Sequence, residues 1–65
     1  MTEAKLEHAL DLYRSAVEAV RIARCRIDAA PPTARMRAVD RWQVAEDNRR
    51  AAAQSLGEAY AQVAS

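Results

Sequence analysis

Cys25, His8 and the pair Glu46 and Tyr13 are the side chains of this sequence whose types could do chemistry. A thiolate nucleophile needs a depressed pKa, and Arg21, Arg24 and Arg26 lie close enough in sequence to Cys25 to offer one. A metal site needs several ligands at fixed spacing. The chain has no C-x-x-C or H-x-x-x-H pattern, so neither a metal site nor another cofactor is expected. With one cysteine in 65 residues no intrachain disulfide can form, and Cys25 reads as a small, partly buried apolar residue. Glu46 has no second acid, histidine or ligand in a constellation with it, which is weak ground for catalysis. No enzyme and no small-molecule substrate are therefore expected.

The elements that must position these residues are helices. Alanine is the commonest residue, at 16 positions; glycine occurs once, and proline only as Pro31-Pro32. Alanine, leucine, arginine, glutamate and glutamine favour helix, and β-branched residues are few. Helical spacing runs from about 3 to 29, with Thr2 as the first cap. Pro31 disfavours helical geometry at Ala30, and Pro32 repeats the block. Residues 30–33 then form the turn, Thr33 caps again, and a second helix runs from about 34 to 63. Each helix spans roughly 40 Å at 1.5 Å per residue. So short a link favours an antiparallel two-helix hairpin, an all-α fold in a single domain covering 1–65.

Heptads organise both helices. Leu6, Tyr13, Val20 and Ile27 recur every seven residues, with Leu10 and Val17 between them. The second helix repeats the scheme with Trp42, Leu56 and Val63, and with Val39, Ala53 and Tyr60. This is the expected packing seam. Beside it run two alanine columns, Ala9/Ala16/Ala23/Ala30 and Ala38/Ala45/Ala52/Ala59. Small side chains let helices approach closely, so these columns read as the contact between the paired helices or between protomers. Gly57 is expected to mark a close backbone crossing near Leu6. Glu46 and Arg49 interrupt the seam as a polar layer that fixes register, near Tyr13, Arg14 and Val17. The halves align crudely at an offset of 29 residues, as any two alanine-rich heptad helices would.

Helix 1 carries a second apolar stripe, Leu12, Ala19, Ile22 and Ala29, with Cys25 at its edge. One partner helix cannot cover two sides. The expected solution is a homodimer, a four-helix bundle with two-fold symmetry, or a bound target protein. Net charge is +1, so nothing overall demands nucleic acid. The charges are unevenly spread. Arg21, Arg24, Arg26, Arg35, Arg37 and Arg41 crowd toward the turn, against Asp28 and Asp40, with local pairs such as Arg24–Asp28 expected. Glu3, Glu7, Asp11 and Glu58 gather at the open end. Leu12, Ala19, Ile22, Cys25, Arg35, Arg37 and Arg41 form the candidate partner surface. His8 reads as a plain surface residue. No membrane-spanning stretch or signal core is apparent, and cytoplasm is the default.

In length, single turn and alanine-lined heptads the chain resembles the RNA-binding plasmid regulators of the Rop family, dimers of helical hairpins. That resemblance implies RNA or DNA binding. In size and layout it is also similar to the hairpin co-chaperones of type III secretion needle subunits, which implies a heterodimer. Leu56-Gly57-Glu58-Ala59 resembles the distal helix of phage-encoded hairpins that inhibit host transcription factors. Nine arginines to one lysine suit a GC-rich bacterial or phage gene. The reading these features support together is a small regulator or inhibitor that dimerises and binds a target protein.

Overall fold

A computed structural model describes residues 2–64, apart from the side chain of Thr2. Two helices, α1 (Thr2–Ala29) and α2 (Arg35–Ala64), pack against each other as a hairpin. α1 already includes Thr2, and the hydroxyl expected to cap there lies outside the described residues.

The turn follows from the two prolines. The Ala30 amide donates to the Ile27 carbonyl at 3.2 Å, tightening the end of α1. Pro31 has no amide to continue the ladder. Its carbonyl accepts from the Ala34 amide at 2.9 Å, which makes 31–34 a four-residue turn with Pro32 at the second position. Proline's fixed φ suits that place. The first helical bond of α2 runs from the Ala38 amide to the Ala34 carbonyl at 3.1 Å. Ala34 is therefore the cap residue, and α2 starts at Arg35, one residue later than the sequence suggests. Thr33 sits inside the turn and does not cap.

The interior of the hairpin is made of alanine. Ala9, Ala23 and Ala45 are the buried hydrophobic residues, at 7%, 9% and 9% exposure. Among the described residues no large side chain is fully buried. Leu6, Leu10, Tyr13, Val20, Ile27, Val39, Trp42, Ala53 and Leu56 are half-buried, while Val17, Tyr60 and Val63 stay exposed. The physical reason is size. Helices approach most closely where side chains are smallest, so the contact line shifts onto the alanine columns, and the larger seam residues flank it.

Gly57 is not a crossing point. A methyl group placed on it would meet nothing within 4 Å, and the helix runs on through it to Ala64.

The molecule is a rod of 50 × 13 × 12 Å with a radius of gyration of 14.9 Å. A compact domain of this length would have about 11 Å. A compact monomer of 7.2 kDa exposes about 4,100 Å², whereas this hairpin exposes 5218 Å². It leaves open about 1,100 Å² that a globular chain of the same mass would hide. No helix among the described residues is long and apolar enough to cross a membrane.

Candidate interaction surface

Grooves lie along the rod, and three of those among the described residues matter here. The first, of about 560 Å³, lies toward the turn on the alanine flank. Its floor is Ala23, Ala30, Ala34, Ala38 and Ala45. Ala19 and Ile22 form one wall, and Arg26, Arg37 and Arg41 stand around it. The groove thus unites Ala19, Ile22, Arg37 and Arg41 from the expected partner surface. Leu12, one heptad before Ala19, continues the same column toward the open end. Leu12 is 51% exposed and Ile22 43%. Arg35 and Cys25 do not line the groove. Cys25 is exposed, not partly buried, because it sits on the far side of α1 from α2.

The second groove, of about 600 Å³, lies at the open end on the other flank of the seam. Leu6, Leu10, Tyr13, Ala53, Leu56, Gly57 and Tyr60 line it, and Tyr60 is 65% exposed. The third, of about 300 Å³, is polar, formed by Trp42, Gln43, Glu46, Asp47 and Arg50. The Trp42 indole N–H itself is buried and has no hydrogen-bond partner among the described residues.

Glu46 and Arg49 pair within α2. The Arg49 Nη2 donates to the Glu46 carboxylate at 3.2 Å, in a part-buried setting. That hydrogen bond raises the Arg49 pKa above its ordinary value, and Tyr13 on the facing helix adds to the effect. The carboxylate is therefore engaged in an ion pair, with Tyr13 beside its partner. Among the described residues no three His, Cys, Asp or Glu side chains gather to hold a metal ion.

The other ion pair is Glu18–Arg21 on the exposed face of α1. Arg21 Nε donates to Glu18 at 3.1 Å, and Nη2 also contacts that carboxylate. The hydrogen bond from Arg21 holds the Glu18 carboxyl below the usual range and raises the guanidinium in turn. Glu18, a helical turn before Arg21, is thus a counter-charge that reading only the turn region overlooks. Arg24 and Asp28 do not pair: the described ion pairs are the two above. At four residues' separation their side chains leave from a solvated face, where pairing gains little over water.

No family model, curated protein or solved structure matches this chain.

Proposed function

We propose that this chain is a non-enzymatic protein-interaction module, a small regulator or inhibitor that dimerises into a four-helix bundle and binds a target protein. One observation carries the reading. Among the described residues nothing larger than alanine is buried as a whole, yet the hairpin displays Leu12, Ile22, Val44 and Tyr60 to solvent. Two helices with an alanine interior cannot supply the apolar burial that chains of this size need. A second hairpin on the alanine flank would cover Leu12, Ile22 and their neighbours. A standard interface removes about 800 Å² per partner, within the surplus of about 1,100 Å² noted above.

Sedimentation equilibrium from about 1 to 100 μM tests the dimer, with urea unfolding at each concentration. The expected result is a mass of two chains and an unfolding midpoint that rises with concentration. A folded monomer with a concentration-independent midpoint overturns the reading. Ile22→Glu, at an exposed position of the hairpin, should abolish association, and helicity should fall with it because the lone hairpin buries too little apolar surface. Target binding is tested by affinity capture from the native host, followed by reconstitution at fixed stoichiometry from the purified captured protein.

A second reading has one observation in its favour. Arg26, Arg37 and Arg41 stand around one groove without a described ion-pair partner. Phosphates of RNA or DNA would suit them. Retention on nucleic acid that falls steeply with salt, and is lost in a variant neutralised at Arg35, Arg37 and Arg41, would establish it.

A further inference from the structure

Two flanks of the seam are open, and they differ in charge. On the alanine flank α1 presents no carboxylate, lysine or arginine between Lys5 and Arg26; Leu12, Ala19 and Ile22 occupy the middle. On α2 the same is true between Arg41 and Glu58, where Val44, Asn48 and Ala51 lie. The opposite flank carries the Glu46–Arg49 pair at mid-length, which would have to be desolvated in a close contact. The alanine flank is thus the face along whose middle a second helical layer covers no charge, its charged side chains standing toward the two ends. At the Cα level that face measures 50 by 13 Å, about 650 Å² before side chains widen it, close to the area one partner loses in a stable interface.

The ends then decide the direction. Residues 21–43, around the turn, carry six arginines and two aspartates, a formal +4. Residues 1–11 and 54–65, at the open end, carry four carboxylates and Lys5, a formal −3. The remaining middle third, 12–20 and 44–53, sums to zero. Packed helices lie about 8–10 Å apart, within the Debye length of about 8–10 Å, so stacked ends feel each other. Two copies with their turns together set +4 on +4 and −3 on −3. Two copies reversed set +4 against −3 twice.

Resting on the dimer proposed above, we infer that the second copy packs on the alanine flank with its turn against the first copy's open end. A two-fold axis perpendicular to the rods passes between Ser15 and Ala16 of α1 and between Arg49 and Arg50 of α2, the midpoints of the helices. That axis stacks like on like: α1 on the partner's α1, α2 on the partner's α2. Counting outward from it, Leu12 faces the small Ala19 of the other copy, and Arg41 faces its Glu58. Arg26 faces Lys5, the one unfavourable match; Glu3 and Glu7 beside Lys5 keep that end negative. Within one chain Arg41 and Glu58 are 17 residues apart on one helix, about 25 Å, too far to interact directly.

Double electron–electron resonance reads the orientation. A nitroxide is placed at Thr33→Cys in a Cys25→Ala background, after sedimentation has shown that this variant dimerises. The reversed dimer separates the two labels by most of the 50 Å rod. Turns stacked together bring them within about 20 Å, and that distance overturns the inference while leaving the dimer intact. A monomeric sample overturns the dimer itself and the inference with it. Leu12→Gln and Met36→Gln read the face. Both side chains are exposed in the hairpin, and Met36 lies outside the alanine flank. Dimer affinity should fall at least about tenfold in Leu12→Gln, since each dimer loses two leucines that are half-exposed in the hairpin, and change less than about twofold in Met36→Gln. The reverse pattern overturns the assignment of the face. For Arg41 and Glu58 the test is charge exchange. Arg41→Glu and Glu58→Arg should each weaken the dimer several-fold, and the double variant should recover most of the loss. Additive losses with no recovery overturn the facing pair.

Discussion

At the start of α2 an alanine stands where a hydrogen-bonding side chain would serve better. Ala34 accepts the first helical bond, yet has no side-chain oxygen for the orphan amides, and no acidic residue follows in the first turn. Ala34→Asp should therefore stabilise the fold by about 1 kcal/mol. The check is urea unfolding at one protein concentration, with a raised midpoint and unchanged slope; an unmoved midpoint would mean the cap is already satisfied. Gly57 gives a parallel case. It lies in an unbroken helix with open space around its Cα, so Gly57→Ala should add about 1 kcal/mol. A destabilised variant would reveal a contact at that spot. At Glu18 the sign is set by its lowered pKa. The Arg21 pair contributes above the ordinary carboxylate range and is lost as pH falls through the depressed value. Both partners are exposed, so the effect is small. The difference in helicity between wild type and Glu18→Gln should vanish near pH 2, below the carboxylate range, as circular dichroism would show.

The elements were largely legible in the sequence. Pro31-Pro32 sets the break by removing amides and forbidding helical geometry before each ring, whatever the tertiary context. Seven-residue spacing identifies which residues share a column. It does not say which column lies at the centre of the contact. That depends on how near the backbones come, and alanine decides it: Ala9, Ala23 and Ala45 are buried while Val17 and Tyr60 are not. For the same reason the second apolar stripe and the alanine column read as separate in sequence, yet Ala19, Ile22 and Ala23 share one groove. The true cap at Ala34 was hidden because a threonine precedes it, and residue type alone cannot place a turn to within one residue. Close approach has a testable cost. Ala45→Leu should destabilise by about 1–3 kcal/mol through overpacking. Ala61→Leu, exposed on the same helix, should shift stability by less than about 0.5 kcal/mol. Equal effects in thermal unfolding would remove the alanine columns from the interior.

For the whole molecule, length matters more than composition. A rod with 14.9 Å radius of gyration has surface in proportion to its length on every side, and its single internal contact uses only one side of each helix. Thermal midpoints should therefore climb by several degrees for each tenfold rise in concentration, as expected when folding and association are coupled. A flat dependence in calorimetry would show that the hairpin is sufficient alone. The partition of charge along the rod was also visible in the sequence. What the sequence could not show is that the stretch of the alanine flank between the basic and the acidic ends is free of charge on both helices, because that needs the columns of both helices placed side by side.

Trp42 is the sole tryptophan of the chain, and its indole nitrogen is shielded from water and has no hydrogen-bond partner among the described residues. An indole kept dry in this way emits at shorter wavelength than a hydrated one. The protein thus carries its own optical gauge of intact pairing between α1 and α2, on the helix that also bears the Glu46–Arg49 pair. A red shift on dilution would report loosening of the hairpin as copies separate, whereas a constant spectrum would report hairpins that part without opening.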